Sequence, residues 1–157
     1  MWLPGFLKWC RANGCPWDER ACEADAMAGQ LEVLKWCRTG GCRWNESSCL
    51  WAALRGHLQV LQWCRANGCP WDSLACASAA KSGPLHVLQW SSANCCPCNE
   101  ICCSAAAAEH AASAGHLEVL QWCRAHGCPW DERICVEAAS AENFEVLQWC
   151  RANGCLE

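Results

Sequence analysis

One phrase, Gln-Trp-Cys-Arg-Ala-Asn-Gly-Cys-Pro-Trp-Asp-Glu, recurs in near-copies along this 157-residue chain. Its anchor tryptophan stands at Trp9, Trp36, Trp63, Trp90, Trp122 and Trp149, so four steps are 27 residues and one, Trp90 to Trp122, is 32. A fixed period of this length means one small supersecondary unit repeated, each too short to bury a core unless it shares one with its neighbours. Such a chain offers a long surface rather than a closed cleft. The expected organisation is a single array over 1–157: a leading half-unit at 1–15, then units at 16–42, 43–69, 70–96, 97–128 and 129–155.

Each unit reads as two helices. Asp18, Asn45, Asp72, Asn99 and Asp131 share one column, and an Asp or Asn side chain can accept from the free N–H groups of a first helical turn. Glu19, Glu46, Glu100 and Glu132 follow directly, placing negative charge at the positive end of the helix dipole. Gly29, Gly56, Gly83 and Gly115 stop the first helix. The second then starts at once, with Pro84 at its opening in one unit, where a missing N–H does no harm. Leu31, Val33, Leu34, Trp36 and Cys37 give it an apolar stripe, and Asn13-Gly14, Asn67-Gly68 and Asn153-Gly154 end it. Arg11, Arg38, Arg65, Arg124 and Arg151 occupy its last turn, read here as a solvated edge that complements the dipole. The fold class expected is therefore all-α, stacked helix pairs joined by short turns, with no β-sheet.

Composition narrows the function. A net charge of −4 and a pI near 5.7 give no electrostatic reason to expect nucleic acid or an anionic membrane as partner. No apolar run reaches the ~18 residues of a membrane span, and the N-terminal stretch does not read as a secretory signal. Nineteen cysteines would suggest a disulfide framework in a small secreted chain. The count is odd, however, and equivalent positions of stacked helices lie roughly 8–10 Å apart, beyond disulfide reach. The cysteines are expected to be mostly reduced core residues in a cytoplasmic or otherwise intracellular, reducing setting, without cofactor. No Gly-rich phosphate loop, paired-carboxylate motif or nucleophile elbow points to an enzyme.

The stretch Gly56-His57-Leu58-Gln59-Val60-Leu61-Gln62-Trp63-Cys64-Arg65-Ala66-Asn67-Gly68-Cys69 resembles the second helix and turn of the ankyrin repeat, Gly-His-Leu-Glu-Val-Val-Lys-Leu-Leu-Leu-x-x-Gly-Ala, without a gap. Gly115-His116-Leu117-Glu118-Val119-Leu120 is closer still. Ala52-Ala53 and Ala138-Ala139 fall where that family carries paired alanines. The departures are a unit of 27 residues against the family's 33 and the loss of its Thr-Pro-Leu-His motif, with Cys22, Cys49, Cys76, Cys103 and Cys135 at the leucine. The resemblance implies an ankyrin-like solenoid with the β-hairpin finger cut to a turn, a structural Gly-His histidine, and tryptophans in place of core leucines. It also implies a non-catalytic protein–protein interaction scaffold; the alternative is a thiol-rich metal-binding or redox protein.

Two sets of residues are candidates. In the first helix, Cys22, Cys49, Cys76, Cys103 and Cys135, with Ala26, Ala53, Ala80, Ala112 and Ala139 four residues on (nine in the lengthened unit), form the inward face. The variable columns are Arg20, Ser47, Leu74, Ile101 and Arg133; Ala24, Trp51, Ser78 and Glu137; and Met27, Leu54, Lys81, Ser113 and Ser140. With Arg55 they form the expected partner-binding face, centred on Trp51 and Leu54. The second set is the irregular stretch Ser91-Ser92-Ala93-Asn94-Cys95-Cys96-Pro97-Cys98-Asn99, followed by five extra residues near Ser104–Ala108 that lengthen the next helix or loop out. Cys95, Cys96, Cys98, Cys102 and Cys103 crowd there without familiar zinc-knuckle spacing and are weak metal candidates. This segment is expected to be the softest of the array. No polar capping unit stands at either end, which leaves end-to-end self-association open.

Overall fold

The computed structural model describes residues 12–14, 18–82, 84–94, 105–128 and 130–155. Among them are ten α-helices and no strand. They fall into five pairs: α1 (Glu19–Met27) with α2 (Leu31–Thr39), α3 (Glu46–Leu54) with α4 (Leu58–Ala66), α5 (Ser73–Ser82) with α6 (Leu85–Ala93), α7 (Ala105–Ser113) with α8 (Leu117–Ala125), and α9 (Glu132–Ser140) with α10 (Phe144–Ala152). Each first helix packs on the second helix of its own pair and on the first helix of the next pair.

The sequence signals act as caps. Asp18, Asn45, Asp72 and Asp131 accept from the N–H two residues on, at 3.0–3.1 Å. The core lies between the helices and is built from small residues on the first helices and branched ones on the second. Cys49, Ala52 and Ala53 of α3 and Val60, Leu61 and Cys64 of α4 are all buried. Small side chains let neighbouring first helices approach closely, and Leu34, Leu61, Leu88 and Leu120 fill the space behind. Each fully buried leucine contributes about 1.5–3 kcal/mol relative to exposure.

The turn between the two helices of a pair is also the seam to the next pair. Gly29 has φ 72°, a conformation that costs an L-residue roughly 1–2 kcal/mol. A Cβ there would lie 2.7 Å from the His57 ring, whose Nε2 is 3.2 Å from Met27 O. The Gly-His histidine thus ties one unit to the one before. Asn143 does the same in the last pair, donating Nδ2 to Ala112 O and Ser113 O at 2.9 and 2.8 Å. In that pair the glycine position of the first-helix turn is taken by Glu142, held at φ 59°.

Three expectations change. Counting back from Gly115, buried Ala108 takes the register of Cys22, Cys49 and Cys76, which moves the cysteine column off Cys103. Ala139 is exposed although its column is otherwise buried, because no helix among the described residues packs on the far side of α9. Val136 and Phe144 are open there too, at 58% and 66% exposure. The tryptophans Trp36, Trp63, Trp90, Trp122 and Trp149 are half-buried against the core margin rather than within it.

Glu142→Gly is expected to raise stability by about 1 kcal/mol in denaturant unfolding, by removing strain at a left-handed position. Gly29→Ala should cost more than Gly68→Ala, because nothing lies within 4 Å of a Cβ at Gly68 while His57 must move at Gly29. Ser48 is fully buried, its hydroxyl has no hydrogen-bond partner, and Ala75 stands in the same column. Ser48→Ala should therefore stabilise by roughly 1 kcal/mol, read as a higher denaturant midpoint at unchanged slope.

Candidate functional site

Three surfaces or clusters repeat with the units. The first is the variable stripe of the first helices. Its columns lie two, six and nine residues after the cap, a spacing that keeps them on one helix face. Arg20, Ala24 and Met27 are exposed on α1; Ser47, Trp51 and Leu54 are half-buried on α3, with Arg55 exposed at its end. Leu74 and Lys81 are exposed and Ser78 half-buried on α5; Ser113 is half-buried on α7; Arg133, Glu137 and Ser140 are exposed on α9. Met27 and Leu74 are the large apolar residues most open on this stripe, at 39% and 52%. Because first helices pack on one another, their stripes run side by side. Ile101 lies outside the described residues, and the register of α7 brings His110 into the column of Ala24 and Trp51. Arg133 reaches Glu109 of α7 at 3.9 Å, a surface pair of little energetic weight.

The second feature was read too simply from sequence. The arginine column does more than line a wet edge. The Arg38, Arg65 and Arg124 guanidinium carbons sit 3.9, 4.5 and 5.1 Å from the ring centroids of Trp44, Trp71 and Trp130, the tryptophans that open the next unit. Each of those rings meets the tryptophan of its own unit's second helix: Trp44 with Trp63 at 5.6 Å, Trp71 with Trp90 at 5.9 Å, Trp130 with Trp149 at 5.6 Å. Arg38 and Arg65 also donate through Nη1 to Cys42 O and Cys69 O. The result is a ladder of Arg over Trp against Trp along one edge. Where Ser92 replaces the arginine, Cys98 replaces its tryptophan, so both partners change together. That joint loss was legible in the sequence once the two columns are known to touch.

The third feature is a cysteine cluster inside the units. Every cysteine among the described residues is buried and none is in a disulfide. Three different columns converge. Cys49 from α3, Cys64 from α4 and Cys69 from the following turn place their sulfurs within 4.8 Å of one another. The turn explains it. Gly68, at φ 80°, reverses the chain so that Cys69 N donates back to Cys64 O at 2.9 Å, the six-to-one bond of a Schellman end. The Cys69 thiol points to Asn45 O at 3.3 Å, closing the unit on its own cap residue. Cys42 to Asp18 O and Cys155 to Asp131 O repeat this closure at 3.0 and 3.1 Å. In the first described unit Cys37 turns instead to Asp25 Oδ2 at 3.2 Å, where the other units carry alanine.

Burial, then hydrogen bonding to Asp25, pushes the Cys37 thiol up to about 12; burial pushes Cys150 to about 11. Within the cluster of Cys49, Cys64 and Cys69 the thiols perturb one another, and Cys69 is the one lowered. Hydrogen bonds from Cys49 and Cys64, helped by Arg65 and Arg38, hold it below the ordinary thiol value. Cys49 is raised by its hydrogen bonds with Cys64 and Cys69 and by burial. The crowded Cys95–Cys103 segment lies outside the described residues.

No protein-family model matches the chain, and the search of curated proteins finds no match. Among the described residues no helix is long and apolar enough to cross a membrane.

A double-mutant cycle on Arg65→Ala and Trp71→Leu should return a coupling of about 0.5–2 kcal/mol, little reduced by salt. Zero coupling would show that the stacking is incidental. A thiol whose folded value is raised stabilises the fold fully below the unfolded value and loses that contribution as pH climbs to the folded one. Stability should therefore fall between about pH 9 and 12, and Cys37→Ala should flatten the slope.

Proposed function

We propose that the helix pairs stack as an ankyrin-like solenoid and that the chain is a non-catalytic protein–protein interaction scaffold. The observation that carries this reading is the first-helix stripe. Its columns change from unit to unit while the columns on the inward face stay nearly fixed, and its side chains remain open or half-open to solvent. Constancy inside and variation outside is the pattern of a surface free to read a partner on a constrained support. Met27, Trp51, Leu54 and Leu74 supply apolar contact, and Arg20 and Arg55 supply charge, a mixture suited to a protein partner. The ankyrin resemblance supports the same assignment. A second protein is the partner class proposed, in a reducing compartment that keeps the buried thiols intact.

The test compares capture of interacting proteins by the full chain and by variants. Met27→Glu with Leu74→Glu should abolish capture and leave the thermal midpoint within ~2 °C, because both side chains are exposed. Trp51→Ala should weaken capture and also lower the midpoint, because that ring is half-buried. Gln59→Glu, exposed on α4 away from the stripe, should change neither. Unaltered capture by the double variant would place the binding face elsewhere.

A further inference from the structure

The geometry points to a thiolate site for a single Cu(I) ion formed by Cys49, Cys64 and Cys69. This goes beyond the scaffold reading and departs from the expectation of a chain without metal. Four observations support it. The three sulfurs lie within 4.8 Å of one another, so that one ion at their centre reaches all three with small side-chain movement. All three residues are fully buried, and the backbone that carries them is fixed by two helices and a Schellman turn. Among the described residues the cluster contains no fourth His, Cys, Asp or Glu. Three soft sulfurs without a fourth ligand or access for water suit a trigonal Cu(I) ion. Zn(II) requires a fourth donor in its tetrahedron. Finally, Arg65 donates to Cys69 O at 2.6 Å, placing a fixed positive charge beside a site that becomes anionic when thiolates bind a monovalent ion.

The other units show why this one is singled out. The fifth also carries all three cysteines, Cys135, Cys150 and Cys155, but its Cys135 thiol points to Cys155 O at 3.9 Å and its sulfurs form no such cluster. Cys37 is drawn to Asp25 in the first. Ser91 takes the register of Cys64 in the third, and Ala108 that of Cys49 in the fourth. Those two natural replacements also supply test variants. Both Ser91 and Ala108 are fully buried in the same fold, so Cys64→Ser and Cys49→Ala are substitutions that the architecture already accommodates.

The experiment uses the full chain, reduced and oxygen-free, titrated with Cu(I) against a chromophoric Cu(I) chelator. Circular dichroism of every variant checks folding. The wild type should take one equivalent from the chelator and show a three-sulfur shell in X-ray absorption. Cys49→Ala and Cys64→Ser should each weaken that equivalent by more than the ~10–100-fold typical of losing an outer-shell partner. Replacing Cys95, Cys96, Cys98, Cys102 and Cys103 together by serine should leave it in place. The proposal is overturned if both single variants fold and retain the tight equivalent, if the five-serine variant loses it, or if the site takes Zn(II) with a fourth ligand and leaves Cu(I) to the chelator.

Discussion

Two left-handed residues in each unit whose turns are described govern most of this molecule. One reverses the chain between the helices of a pair, the other at the end of the second helix. Helix propensity alone would allow the Ala-rich first helices to run on. A residue at φ near 70–80° forbids it and sets where the chain goes next. The first reversal brings the opening residue of each second helix against the preceding unit, as His57 against Gly29 and Met27. The second folds a cysteine back over the helix it has just left, as Cys69 over Cys64. Packing, the inter-unit seam and the thiol cluster all follow from these two points.

The energetic division of labour is clear. Leucines and valines of the second helices supply most of the apolar burial, while alanines and cysteines of the first helices permit close approach. The Arg–Trp–Trp ladder adds a second, more exposed line of contacts along one edge, each worth about 0.5–2 kcal/mol. Because Arg38 contacts Trp44 and Arg65 contacts Trp71, the ladder couples consecutive units independently of the core.

Much of this was legible in the residues. The cap column, the glycine stops and the apolar stripe are short-range signals, and short-range geometry decides helix ends. The roles of Arg65 and of Cys49, Cys64 and Cys69 were not. They depend on which columns of the repeat approach in space, and a period reports only which residues are equivalent. Comparing equivalent cysteines asks only whether they can pair with one another, and hides the convergence of non-equivalent ones. Ile101 and Cys103 were misaligned for a related reason. An insertion of five residues can be placed anywhere before the next fixed point, and the register of buried Ala108, seven residues before Gly115, shows that it precedes Ala108.

The seam at Gly29 and His57 bears on how such a gene can change length. The two positions are 28 residues apart, and their counterparts at Gly115 and Asn143 keep the same offset. A crossover between two copies of the coding sequence slipped by 27 codons therefore joins a left half of one unit to the right half of its equivalent. Every contact position is still present once at the junction, and the product gains or loses one helix pair. Unequal exchange can thus lengthen or trim the chain without inventing an interface, whereas a slip that is not a whole number of units separates the glycine from the side chain that needs the space above it.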